Sequence, residues 1–249
     1  MTQHSQATKS GVKIHAFLAH AGLASRREAE KLIEQGLVSV NGQRAEIGQR
    51  INPGHDKVVF RGQPVGATEN FRYFLVNKPV EVVSTTSDEL GRQTVLDLLP
   101  ANLKTVRLYP VGRLDHDSQG LMLITNDGNL AHRLTHPSFK INKLYYAQLE
   151  RVPTDKALDH LRRGVKLKDG FTQPVEVELL PERGDRWVSI QLHEGRNRQV
   201  RRMMERVGYE VTHLIRVTFG PFSLKDLHGK PYLELTAEQL KPIRQSVGL

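Results

Sequence analysis

The chain has 249 residues, 38% of them hydrophobic and 25% charged, and 36 Lys and Arg against 27 Asp and Glu leave a net charge of +9. That length suits one or two domains with real cores, the composition is too apolar for a disordered chain, and no apolar run reaches the length a bilayer demands. With no cysteine, disulfides, thiolate nucleophiles and cysteine-type zinc sites are excluded, so carboxylate, His, Ser, Lys and Tyr groups carry any chemistry, and the positive charge points to a polyanion, nucleic acid first.

The first eleven residues, MTQHSQATKSG, are polar and lack the apolar stretch of a secretion signal. Residues 1–11 therefore read as a disordered tail and the protein as cytoplasmic. From Val12 the pattern predicts two short helices and a strand. Ile14, Phe17, Leu18 and Ala21 share one helical face that Gly22 ends, and Ser25 with Glu28 forms a capping box before the stripe of Ala29, Leu32 and Ile33. Val38 to Val40 alternates as a strand, Asn41-Gly42 supplies a tight hairpin turn, and a second turn at Asn52-Pro53-Gly54 precedes an apolar strand at 57–60. This unit, 12–63, carries Arg26, Arg27, Lys31, Arg44 and Arg50. Its stretch AGLASRREAEKLIEQGLVSVNGQ resembles the small RNA-binding module shared by a ribosomal small-subunit protein, tyrosyl-tRNA synthetases and several RNA-modifying enzymes. The resemblance implies that Arg26, Arg27 and Lys31 face RNA phosphate, which a helix N-terminus and guanidinium forks suit. The first helix of that module usually carries Lys where Ala16 aligns, leaving Lys13 or His15 to substitute.

Residues 64–72, PVGATENFR, lose apolar periodicity and are expected to be a linker. A second domain, 73–245, is expected to hold strands at 73–77, 81–85, 106–110, 120–125, 143–150, 174–179, 186–193 and 209–219, with helices at 129–135, 154–163 and 197–207. Short strands mixed with a few helices predict an α+β class: a small N-terminal α/β module, then a mainly antiparallel or mixed sheet flanked by helices.

The richest stretch is YPVGRLDHDSQGLMLITNDGNLAHRLTHP, residues 109–137. Gly112 frees the backbone, Arg113 offers a phosphate-matching fork, and Asp115 stands on a loop between apolar segments, where a rigid scaffold can present it to a ligand. Taken alone, Gly-Arg-Leu-Asp describes a local turn or salt bridge equally well. Over its whole length the stretch resembles the second motif of the pseudouridine synthases that modify ribosomal RNA. Further matches follow in the family's order: LVNKPVEVVSTTSDELGRQTVLDLLP, NKLYYAQL at 142–149, GVKL at 164–167, LHEGRNRQVRRMMERVG at 192–208 and LIRVTFGP at 214–221.

The resemblance implies that Asp115 is the catalytic carboxylate, Tyr145 the aromatic that stacks on the target base, and Arg216 the cation paired with Asp115. It implies no cofactor, because converting uridine to pseudouridine involves neither net redox change nor hydrolysis. A carboxylate inside a pocket stays ionised only beside a fixed cation, and that need makes Arg216 a sensible partner. Arg113 is the candidate to brace the space left by an extracted nucleotide, or else a phosphate clamp. Tyr146, on the opposite strand face, is expected in the core.

In EGRNRQVRRMMERVG, Val200, Met203, Met204 and Val207 form a core-facing stripe and leave Arg198, Arg201, Arg202 and Arg206 as an RNA-facing basic helix. Gly195, Arg196 and Asn197 begin it with backbone donors suited to phosphate. Asp115, Asp117 and Asp127 with His116 and His132 match no metal-ligand spacing, and Asp117 and Asp127 read as turn formers, so no metal is expected. The family usually has Gly after its Lys-Pro pair where this chain has Val80-Glu81, so that turn must be built differently. The expected partner is a ribosomal RNA stem-loop, as naked RNA or in an assembly particle, bound by a monomer without membrane contact. The wording of EGRNRQVRRMM favours large-subunit RNA over small-subunit RNA. A non-catalytic RNA-binding assembly factor and a metal-dependent nuclease are the rival readings.

Overall fold

The structure, a computed structural model, describes residues 11–66 and 70–249. The chain divides into two compact units, Met1–Phe71 and Arg72–Leu249. The tail expected over residues 1–11 lies, apart from Gly11, outside the described residues.

In the first unit β1 (Val12–Lys13) leads into α1 (Ile14–His20) and α2 (Arg26–Glu34), then β2 (Val38–Val40), β3 (Gln43–Arg44), β4 (Arg50–Ile51), β5 (Val58–Phe60) and β6 (Gln63–Pro64). The capping box forms as its spacing dictates: the Glu28 amide donates to Ser25 Oγ at 3.1 Å and the Ser25 amide to the Glu28 carboxylate at 3.3 Å. Ile14, Phe17, Leu18, Ala29 and Ile33 pack on Val38, Val40, Ile51 and Val58 in one small core. Ala21 is the C-cap of α1 rather than part of that face. Asn41 and Gly42, at φ 52° and 82°, turn the β2–β3 hairpin in the left-handed region that this pair adopts most cheaply. Because Pro64 pairs with Val59 in the sheet, the linker starts later than residue 64.

The second unit contains β7 (Tyr73–Lys78), β8 (Tyr109–Pro110), β9 (Gln119–Thr125), α3 (Gly128–Thr135), β10 (Lys143–Leu149), α4 (Asp155–Arg163), the hairpin β11 (Lys166–Leu167) and β12 (Gly170–Phe171), β13 (Glu176–Leu179), β14 (Trp187–Leu192), α5 (Gln199–Arg206), β15 (Val211–Phe219), β16 (Phe222–Ser223), β17 (Tyr232–Glu234) and α6 (Ala237–Ser246). Its main sheet runs β13-β14-β10-β15-β9-β7-β17. The β15–β9 pairing is parallel and the others along that path are antiparallel, so the sheet is mixed and the class is α+β, as expected. Strand alternation gives the sheet two apolar faces. Phe74, Val76, Met122 and Ile124 face a core closed by α4 and α5, while Tyr73, Leu75, Leu121 and Leu123 face one closed by α3 and α6.

Three expectations change. The strand expected at 81–85 is a loop held by a single parallel bridge between Val83 and Thr94; of its two valines only Val82 is buried, so the β-branched pair caps the core without extending the sheet. The domain continues past residue 245, since α6 ends at Ser246 and Arg133 Nη1 donates to the Val247 and Gly248 carbonyls. Arg72, expected in the linker, belongs to the second unit through a bidentate pair with Glu234 at 2.7 Å. No described helix is long and apolar enough to cross a membrane.

Candidate active site

Asp115 stands on the loop between β8 and β9, and that loop is tied down on both sides. The Leu114 amide donates to Ser84 Oγ at 3.0 Å, and the Ser84 hydroxyl donates to the Leu114 carbonyl at 2.7 Å. Beyond Asp115, the Ser118 amide donates to the Asp115 carbonyl, and the buried Lys78 ammonium donates to the Ser118 and Pro79 carbonyls at 2.7 and 2.8 Å. The Asp115 side chain is 29% exposed and lines a cavity. Such a placement is preorganised and accessible together.

The sheet register brings the other site residues into line. Arg216 of β15 is the pairing partner of Gly120 on β9 and of Tyr145 on β10. Gly120 has φ +120°, and a Cβ there would lie 2.3 Å from the Arg216 carbonyl oxygen, so only glycine allows the two strands to approach here. Tyr145 and Arg216 are both buried, and both line one cavity of about 290 Å³ with Asp115, Arg113, Lys143 and Arg198. That volume is near the lower end of small-ligand sites. Arg196 and Asn197 also border it.

The expected Asp115–Arg216 ion pair is not made in this structure. Arg216 Nε instead donates to the Leu121 carbonyl at 2.8 Å, and its guanidinium lies 5.0 Å above the Phe219 ring. Its Nη2 is buried without a hydrogen-bond partner. The cation beside Asp115 is Arg198, with Nη1 3.8 Å from Oδ2; the same guanidinium grips Asp117 through two bonds of 3.1 and 3.0 Å. Arg198 reaches there from a left-handed backbone, φ 47°, at the N-cap of α5. Non-glycine residues rarely hold that conformation, and such strain concentrates where a side chain must be aimed.

Charge in the site is tuned by burial. Burial pushes the Lys78 ammonium down to about 8, while Asp115 and Asp117 hold it up against that fall. Lys143 is also pushed down to about 8, by burial first and then by the like charge of Arg216. Burial raises the Asp117 carboxyl, but Arg198 and Arg201 more than offset it and leave it below the usual carboxylate range. Sequence reasoning missed Lys78, Lys143 and the pairing role of Arg198. Strand alternation could have found Lys143, two residues from Tyr145 on β10.

Several expected RNA contacts are committed within the chain. Arg201 donates to the Val211 and Asp117 carbonyls and is only 13% exposed, which makes it a brace rather than an RNA-facing group. Arg202 forms a bidentate pair with Asp169, and Arg196 binds Glu194 and the Phe171 carbonyl. The Arg196 amide, expected to suit a phosphate, donates to Gln199 Oε1 at 3.0 Å. Arg113 and Asn197 are exposed at the cavity, and Arg26, Arg27 and Lys31 are exposed on α2 of the first unit. His15 pairs with Glu30, and Ala16 is buried, so Lys13 alone is exposed to substitute for the module's usual lysine. Tyr146 is a correction to the core expectation. It is half-buried, because its sheet face carries Arg183, 5.3 Å above Tyr146 and 4.7 Å above Trp187, in place of a helix. Asp127 caps α3 and binds Tyr73 and Arg244, and no group of three metal-ligating side chains occurs among the described residues.

The signature of the family described as RNA pseudouridylate synthase matches residues 72–206. The chain belongs to the RNA pseudouridylate synthase family. Its S4 domain, matched over residues 12–57, makes the first unit an RNA-binding module. This synthase is 41% identical to a ribosomal large subunit pseudouridine synthase B of Bacillus subtilis over 93% of this chain and 95% of that one. It is 37% identical to an RNA pseudouridine synthase of Aquifex aeolicus over 96% of each. A solved pseudouridylate synthase matches with a TM-score of 0.67 at 29% identity, covering 94% of this chain and 100% of the other. The synthase is therefore an isomerase acting on RNA.

Proposed function

We propose that this synthase converts one uridine in a stem-loop of large-subunit ribosomal RNA to pseudouridine, acting in the cytoplasm as a monomer without a cofactor. The observation that carries the reading is the convergence of Asp115, Tyr145 and Arg216 on one cavity. The 41% identity to a large-subunit enzyme across nearly the whole chain supports the choice of RNA.

Isomerisation breaks the C1′–N1 bond, turns the uracil so that C5 faces C1′, forms the C1′–C5 bond, removes the C5 proton and leaves N1 protonated. Asp115 serves either as the nucleophile at C1′ or as the base that helps form a glycal-like intermediate. Tyr145 supplies a flat face for the uracil and a hydroxyl for proton transfer at C5. The unpaired Arg216 Nη2 is the donor that turns to Asp115 once substrate displaces water. Arg113, exposed at the cavity mouth, braces the space the nucleotide leaves. Arg26, Arg27 and Lys31 hold phosphates of the same RNA.

Pseudouridine mapping across ribosomal RNA tests this in cells with the gene, without it, and with Asp115→Asn in its place. The expected result is loss of one large-subunit site in both deficient strains. Loss of a small-subunit site would favour the small-subunit reading, and a map unchanged by Asp115→Asn would leave an RNA-binding assembly factor.

A further inference from the structure

The loop that replaces the expected 81–85 strand forms a rigid prong beside Asp115. Its base is closed by the Val83 amide donating to the Gln93 carbonyl and the Val95 amide to the Val83 carbonyl, both at 2.9 Å. Its root is the pair of hydrogen bonds between Ser84 and Leu114, the residue preceding Asp115. Its tip is clasped by Asp88, whose carboxylate accepts from the Leu90 and Arg92 amides and from the Arg92 guanidinium. Those bonds hold the Asp88 carboxyl down to about 2, so the clasp persists at any physiological pH.

The clasp presents Leu90. At 77% exposure it is the most exposed large apolar side chain among the described residues. Phe171 follows at 67% but borders none of the described cavities, whereas Leu90 lines a groove that continues to Arg113, Asp115 and Asn197. Exposed single leucines are common on mobile loops. This one is fixed by a four-donor clasp and rooted one residue from the reacting carboxylate. An extracted nucleotide leaves neighbouring bases with an uncovered apolar face, and proteins that open a stack fill such a face with an apolar wedge.

We propose that Leu90 is a positioning residue that packs against the base next to the extracted uridine and holds the opened stack apart. This rests on the reading of the chain as a uridine isomerase of ribosomal RNA. Arg113 and Leu90 then have separate tasks: the guanidinium meets charge and polar edges, and the leucine covers the exposed base face.

The test uses the full chain, an unmodified large-subunit ribosomal RNA transcript, and a hairpin cut from it with 2-aminopurine beside the target uridine. Leu90→Ala is compared with Leu90→Met, which retains apolar reach. Leu90→Ala is expected to lower kcat/KM on the transcript about tenfold, equivalent to ~1.4 kcal/mol of lost transition-state stabilisation. It should also abolish the fluorescence rise that wild type causes on binding. Leu90→Met should restore both, and a substrate whose flanking base pair is already mismatched should narrow the gap between Leu90→Ala and wild type. A wild-type enzyme active on the transcript with an equally active Leu90→Ala and an unchanged fluorescence rise would overturn the wedge alone. A wild type that makes no pseudouridine in the transcript would overturn the reading of naked large-subunit RNA as the substrate, and with it the wedge as tested on that RNA.

Discussion

Arg198 Nη1 stands 3.8 Å from Asp115 Oδ2 while the same guanidinium holds both Asp117 oxygens. Asp117 in turn is held by Arg201, whose Nε lies 3.2 Å away and whose side chain is largely buried. The carboxylate expected to do chemistry thus belongs to a chain of alternating charges anchored in α5. A fixed array of this kind stabilises developing charge without reorganising during reaction.

Arg198→Ala should therefore lower kcat about tenfold to a hundredfold with little change in KM, the behaviour expected when a preorganised charge contact is lost. Because Arg198 is 44% exposed, thermal unfolding should be nearly unmoved. A KM effect with unchanged kcat would instead make Arg198 a plain RNA contact.

Lys78 gives the folded state a pH signature. Its folded pKa is about 8 against an ordinary 10.5, lowered chiefly by burial. Below pH 8 both folded and unfolded chains hold the proton; between about 8 and 10.5 the unfolded chain holds a proton that the folded one lacks. Unfolding free energy should rise with pH across that window, by ~1–3 kcal/mol for this lysine. Urea titrations at pH 7, 8, 9 and 10 should show the rise in wild type and a weaker one in Lys78→Met, with Lys143, also at about 8, contributing the remainder.

Glu81 fills the turn where the family usually has Gly, and it does so at φ 66°, its amide donating to the His116 carbonyl at 2.8 Å. The left-handed conformation costs a side-chain-bearing residue about 1 kcal/mol that glycine does not incur. Glu81→Gly should recover most of it, and calorimetry should find the unfolding temperature raised by about 2–4 °C for a unit of this size.

Which parts of this were legible in the sequence follows from the range over which each signal acts. The capping box at Ser25, the turn at Asn41-Gly42 and the apolar stripe of α5 are local patterns, and the structure reproduces them. β17 and α6 were passed over, because Tyr232 to Glu234 is short and Pro242 interrupts the helical pattern. The family motifs marked Asp115, Tyr145 and Arg216, and register unites the last two across β10 and β15. What stayed illegible was side-chain allegiance. A run of arginines looks alike whether it faces RNA or braces the chain, and only three-dimensional acceptors such as Asp169 and the Val211 carbonyl separate Arg201 and Arg202 from Arg113.

The first unit should act through phosphate alone. Replacing Arg26, Arg27 and Lys31 with Ala should raise KM for RNA and leave kcat intact. It should flatten the salt dependence of binding by about one unit of slope per lost phosphate contact. An unchanged salt slope in filter binding across a rising salt series would remove these residues from the interface.

The most direct test of the account is tritium release from large-subunit ribosomal RNA labelled at uridine C5, with purified wild type and Asp115→Asn compared at equal RNA occupancy. Loss of the reacting carboxylate should cut release by about 10³ or more while RNA binding is retained. Release by Asp115→Asn at a rate close to wild type would contradict the assignment of the chemistry to Asp115.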